Sequence, residues 1–252
     1  MRLIVLIAFL TSMYSTCFGQ EKSLYHNLHN QFFLLRPSSF QKITVEDSTL
    51  ASFESKGFDH FTSADVSNPH YVCIFSEWNQ KIWILDNELA LFEEINLKDK
   101  YDFKVSSFFQ MNRSLYLYSE EERSWYIYDF MVNQTVYSAS LSNEVDEVLA
   151  FSGCDGDVIF LGNNGVWTTD NFNFWSYKDW SSFVNIKEEC YDNSCNQLLR
   201  LDSNVVLVNP ICGQEKVLKA DSIGEISTIS GEIIYYFKDK RIQSIGVKLI
   251  ND

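Results

Sequence analysis

No window of the 252-residue sequence carries a sustained 3.6-residue apolar period, so helices should be few and short. After the first twenty residues, no apolar run approaches the roughly 20 residues that a membrane-spanning helix needs. Gly-x-Ser-x-Gly, His-Glu-x-x-His and a phosphate-cradling glycine loop are all missing, which removes the usual signatures of hydrolase, zinc-protease and nucleotide sites. There is no Cys-x-x-Cys pair to hold zinc, so neither a metal nor another cofactor is expected. Basic residues are scarce: 20 Lys and Arg against 34 Asp and Glu give a net charge of −14. A polyanion of that size repels phosphate backbones, and no Lys/Arg stripe offsets it, so nucleic acid and anionic membrane surfaces are poor partners.

What is present begins with "MRLIVLIAFLTSMYSTCFGQ": one early cation, Arg2, an apolar run from Leu3 to Leu10, and a small-residue exit ending at Gly19. That is the layout of a secretory signal peptide, residues 1–19, which leaves 20–252 as the mature chain. The alternative is a lipoprotein signal in which "YSTC" is a degenerate lipobox and Cys17 carries the lipid. Cleavage after Gly19 removes Arg2, leaving 19 basic against 34 acidic residues, a charge of −15. It also leaves five cysteines, an odd number that argues against a fully paired disulfide framework. Cys190 and Cys195, in "CYDNSC", can close a small loop in an oxidising compartment, whereas Cys73 and Cys212 read as small buried hydrophobes.

Self-similarity is the strongest structural signal. "KITVEDSTL" at 42–50 and "KIWILDNEL" at 81–89 match at an offset of 39, and weaker copies follow at 125–132, 165–172, 204–211 and 241–249. Each copy sits among short alternating runs separated by turn-forming residues, as in "VLAFSG", "DVIFLG", "GVWTTD" and "NFWSYK". Four short antiparallel strands every forty residues is the period of a β-propeller blade. One such sheet cannot bury both faces alone, and packing successive sheets around an axis does so. The expected fold is therefore all-β, a single β-propeller domain of six blades, with the two ends of the chain sharing a blade through 30–36 and 241–249. A β-sandwich pair or a β-helix is the alternative.

The WD dipeptide and the paired glycines of kelch blades are absent. "TTDNFNFW", Thr168 to Trp175, resembles a decayed Asp-box of sialidase-like propellers, with Thr168, Asp170 and Trp175 matching in type and Phe172 and Phe174 departing. In that family the Asp-box is a structural turn on the outside of a blade, so the resemblance implies a corner and no active site. "ADVSNPHYVCIFSEWNQKIWILDNELALFEEINL", Ala64 to Leu97, resembles a family of secreted β-propellers from Bacteroidota, through Asp65, Val66, Ser67, Asn68, Pro69, Leu85, Asp86, Asn87 and Leu89. That resemblance implies the fold and an envelope location, and no activity is established for the family.

Three sets of residues are candidates for function. The segment from Asp179 to Asn196 is the longest break in the repeat, and Trp175, Tyr177, Trp180, Phe183 and Tyr191 make its surroundings a candidate interaction surface. Asp65, Ser67 and Asn68 either cap the loop leading into the strand at Tyr71 or line an axial opening. Ser48 and Ser222, each preceded by Asp at a predicted turn, resemble O-glycosylation acceptors of exported Bacteroidota proteins. His26 and His29 form a His-x-x-His pair with no third ligand marked, and Asp155 and Asp157 around Gly156 suit a hairpin turn better than a calcium loop. The resulting expectation is a non-catalytic, secreted or envelope-associated propeller, periplasmic, outer-membrane-associated or extracellular, that binds an envelope or secreted protein. The alternatives are a carbohydrate-active enzyme with carboxylates in the axial pocket and a glycan-binding propeller with exposed aromatics.

Overall fold

The computed structural model describes residues 23–246 apart from 28, 58, 69, 146, 155, 163–164, 170–174, 180–187, 192–196, 201–203, 210–213, 220–226, 231–232 and 239–240; at 154, 178–179, within 188–230 and at 237–238 it describes the strand backbone only. The described strands form six antiparallel sheets in chain order, five of four strands and one of three. The first contains β1 (Ser23–His26), β2 (Phe32–Arg36), β3 (Ser39–Ile43) and β4 (Thr49–Glu54). The second contains β5 (Ser63–Asp65), β6 (Val72–Ser76), β7 (Lys81–Leu85) and β8 (Leu91–Asn96). The third contains β9 (Ser107–Met111), β10 (Ser114–Ser119), β11 (Ser124–Asp129) and β12 (Gln134–Ser140). The fourth contains β13 (Val148–Cys154), β14 (Asp157–Gly162), β15 (Gly165–Thr169) and β16 (Trp175–Asp179). Then come β17 (Glu188–Tyr191), β18 (Gln197–Arg200), β19 (Asn204–Asn209) and β20 (Gln214–Lys219), and finally β21 (Ser227–Ser230), β22 (Ile233–Lys238) and β23 (Arg241–Gly246).

The sheets take a β-propeller arrangement. Their first strands neighbour one another, β1 by β5, β5 by β9 and β9 by β13, while β21 lies against both β17 and β1. Helix is limited, among the described residues, to a 3₁₀ turn at Leu97–Asp99.

The packing explains the nearly continuous apolar runs of the second strands. In β6, Val72 and Ile74 face the first sheet, joining Phe33, Leu35, Phe40 and Trp83 in one core. Cys73 and Phe75, the alternate residues, face the third sheet and meet Phe108, Leu115 and Leu117. In β10, Leu115 and Leu117 point back to the second sheet, whereas Tyr116 and Tyr118 pack forward with Phe151 and Phe160 of the fourth. Strand alternation thus feeds two cores at once, and both faces need apolar residues. Each fully buried side chain of this size contributes about 1.5–3 kcal/mol.

Two sequence expectations are corrected. The repeated phrase is the third strand of each sheet, and its first copy is three residues out of phase: β3 and β7 start at Ser39 and Lys81, 42 residues apart and not 39. The ends do not share a blade among the described residues, since 32–36 belong to the first sheet and 241–246 to the last. They meet across a seam instead: Ile242 joins Leu24, Phe32, Leu34 and Ile43, its N–H donates to Val45 O at 2.9 Å, and Tyr235 stacks on His26 at 4.5 Å.

Candidate interaction surface

The Asp65 loop is a fastening between the second and third sheets. Asp65, 3% exposed at the end of β5, accepts the Ser67 N–H on Oδ1 at 2.8 Å and the Gln110 N–H of β9 on Oδ2 at 2.6 Å. Ser67 Oγ donates to Gln110 O at 3.3 Å, and Asn68 Nδ2 donates to Asn112 O at 2.6 Å. Asn68 Oδ1 also accepts the N–H groups of His70 and Tyr71, which caps the loop just before β6. All three side chains are thus engaged in holding the two inner strands together. Beside them, burial first and the Asp65 carboxylate second push the Cys73 thiol pKa well above its ordinary value, leaving a neutral Sγ–H that donates to Gln110 Oε1 at 3.2 Å.

A second fastening recurs at the turn between second and third strands. Gln80 and Arg123 both adopt positive φ, 54° and 48°. Their carbonyls accept the N–H of Leu97 and Leu141, and their side chains donate to Val105 O and Val145 O. The letters Gln and Arg share no pattern that would reveal this, although each falls just before a third strand.

Of the aromatic surface expected around 175–191, the structure describes part. Trp175 and Tyr177 share β16, the outer strand of the fourth sheet. Trp175 packs inward on Phe160 at 5.5 Å, while Tyr177 lies against Trp167 at 4.9 Å and is 51% exposed. Tyr191 belongs to β17, the first strand of the next sheet, paired with Gln197, so strand order sets it apart from β16. Cys190 pairs with Leu198 in the same hairpin. Trp180, Phe183, Cys195 and Ser222 lie outside the described residues. Ser48 is exposed in the turn from β3 to β4, next to Asp47 at φ 62°. Cys154 pairs with Asp157, and Gly156 between them takes φ 96°, while Asp155 lies outside the described residues. His26 is held by aromatic neighbours, Tyr235 and Phe32. No group of three metal-ligating side chains occurs among the described residues, and no helix among them is long and apolar enough to cross a membrane.

At the corner between third and fourth strands the sequence marks a recurring polar turn residue at Asp47, Asp86 and Asp129, but misses Thr44 and the bulge that follows. There Thr44, Asp86 and Asp129 occupy equivalent places, each accepting two nearby N–H groups on a side-chain oxygen: Glu46 and Ser48, Glu88 and Ala90, and Met131 and Val132. Just beyond it the ladder shifts register by one residue in three successive sheets. Ile43 pairs with Thr49 and Lys42 with Ala51, skipping Leu50. Leu85 pairs with Leu91 and Ile84 with Glu93, skipping Phe92. Tyr128 pairs with Thr135 and Ile127 with Tyr137, skipping Val136. A bulge leaves its extra residue outside the ladder and re-aims it. All three extra residues are large and apolar, and they are 64%, 52% and 52% exposed in that order. A signal for this existed in the outer strands, where an apolar letter breaks the in-out alternation at the second or third position.

Neither a family model nor a curated protein matches the sequence. Solved structures share the fold. The β-propeller domain of Cps50 (Swd1) from Myceliophteria thermophila superposes with a TM-score of 0.57 at 8% identity, over 90% of this chain and 83% of that one. The WD40 domain of Neurospora crassa Pan2 gives 0.54 at 9% identity, over 85% and 71%. A streptogramin B lyase gives 0.60 at 10% identity, over 91% and 83%. At such identities the likeness is one of fold alone, reached here without the WD dipeptide.

Proposed function

We propose that the chain is a non-catalytic, exported β-propeller scaffold that binds another protein of the cell envelope or its surroundings through the corners between third and fourth strands. The observation that carries this reading is the recurrence of an exposed apolar side chain, Leu50, Phe92 and Val136, at the same bulge in three successive sheets. Single exposed apolar residues are ordinary on a surface, whereas an aligned set marks a binding face. The engagement of Asp65, Ser67 and Asn68 in joining sheets also favours a structural role for that loop over an axial site. Export rests on the first nineteen residues and their signal-peptide layout. The likeness to a WD40 domain and to a lyase alike shows that the fold hosts different activities, so the surface decides.

The test places a photo-crosslinking amino acid at position 92 or 136 in the native host. Position 78 serves as control, because Trp78 is 79% exposed in the turn from β6 to β7, at the opposite end of β7 from the corner. A discrete protein adduct at 92 and 136 but not at 78 is expected. Equal labelling at all three positions, or none at 92 and 136, overturns the scaffold reading.

A further inference from the structure

Resting on the scaffold reading, we propose that the partner presents a segment combining apolar side chains with lysine or arginine, laid across the corners of the first three sheets. The apolar half of the argument is the breadth of the exposed surface. Leu50 is joined by Val45 on the first corner, Phe92 by Leu91 on the second, and Val136 by Met131 and Val132 on the third, all between 45% and 64% exposed. Seven of the ten exposed large hydrophobics among the described residues therefore gather at three equivalent places. Phe92 is also backed by a ready-made aromatic floor, with Tyr71 at 5.2 Å and Phe130 a further 5.7 Å from Tyr71, which bridges the second and third sheets. A partner side chain entering between those corners meets rigid rings and needs little reorganisation.

The charged half is the sign of what surrounds them. Glu46 and Asp47 lie in the first corner, Asp86, Glu88 and Glu93 in the second, and Asp129 in the third. Two cations stand among these six carboxylates: Lys42 is buried and donates to Asn87 O at 2.9 Å and Glu88 Oε1 at 3.1 Å. Lys100 donates to Asn133 Oδ1 and stands over the Tyr128 ring. Six carboxylates against Lys42 and Lys100 leave the three corners negative in sum, most of it at the first two, in a chain whose net charge is −14. That field attracts a cationic segment, and it opposes both an anionic lipid surface and a second copy of this chain, which would bring like carboxylates together.

The experiment uses the mature full chain with three fluorescent peptides of equal length, alternating Leu with Lys, Leu with Glu, and Ser with Lys, read by anisotropy and by amide exchange. The Leu/Lys peptide is expected to bind, to protect β4, β8 and β12, and to weaken about tenfold or more in the triple variant Leu50→Ser, Phe92→Ser, Val136→Ser. It should also weaken when salt shortens the Debye length from about 10 Å to about 3 Å. Circular dichroism and melting of the triple variant check that it folds. Equal binding of the Leu/Glu peptide, unchanged affinity in the folded variant, preferential binding to phosphatidylglycerol vesicles, or a wild-type dimer that the variant dissolves would each overturn the proposal. Corner-specific adducts in cells without Leu/Lys binding would sink the cationic partner and spare the scaffold reading; absence of both sinks both.

Discussion

Replacing Asp65 with alanine tests whether that loop fastens two sheets. The carboxylate accepts two backbone N–H groups, and they differ in what happens when it is gone. Gln110 N–H belongs to buried β9, on a residue 4% exposed, so losing its 2.6 Å acceptor leaves a donor that water cannot readily reach. Such a donor costs about 1–3 kcal/mol. Ser67 N–H sits on a half-buried residue and can turn to solvent, so its loss adds only about 0.5 kcal/mol. The total of about 1.5–3.5 kcal/mol corresponds to a fall in Tm of about 3–14 °C for a chain of this length. Asp65→Asn keeps one oxygen acceptor and should lose less than half as much. Urea unfolding of the three proteins gives the energies, and amide exchange at Gln110 locates the effect. If Asp65→Ala unfolds within about 0.5 kcal/mol of wild type while the Gln110 amide stays protected, the fastening is not made by this side chain.

Two further outcomes are expected. Burial lowers the His26 pKa below its ordinary 6.5, with Asn30 opposing in part, so the unfolded chain binds the proton more readily than the folded one. Its contribution to stability is therefore complete above the unfolded pKa and shrinks as pH falls from about 6.5 towards the lower folded value. Urea midpoints taken across that range should decline in the wild type and flatten in His26→Phe; parallel profiles would refute the assignment. Gly153→Ala would bring a methyl group within 2.2 Å of Phe109 Cε2, where β13 crosses β9. Overpacking of this kind costs about 1–3 kcal/mol. Calorimetry should show Phe109→Leu restoring part of that loss, and strict additivity of the two changes would refute the clash.

The fold was legible because its two periods are carried by side-chain chemistry. Alternation in "SLYLYS" and "KIWIL" marks strands, and the return of the third strand every forty-odd residues marks the blade. The phase was not legible, because turn chemistry is shared among different letters. Asp47 matches Asp86 as a letter, yet Thr44 does what Asp86 does, and Asp47 takes the positive φ that Leu89 takes, 62° in both. Identity of residue type drew the copies together three positions away from identity of role. The bulged residues were harder to read for a related reason: Leu50, Phe92 and Val136 look like core letters, and the break in alternation that they make becomes a bulge only once the ladder gives the pairing. Gln80 and Arg123 were silent because each reaches a backbone more than twenty residues away.

The seam between the first and last sheets has a consequence for how the chain becomes folded on synthesis. Leu24, Phe32 and Leu34 are among the first described residues to be made, yet the side chains that cover them, Tyr235 and Ile242, come more than two hundred residues later. Every other described seam joins sheets that follow one another and can close as the second of the two emerges. This one stays uncovered until nearly the whole chain is present, and it is also the contact of greatest sequence separation, the kind whose loop-closure entropy slows folding most. The surface made first is the surface satisfied last.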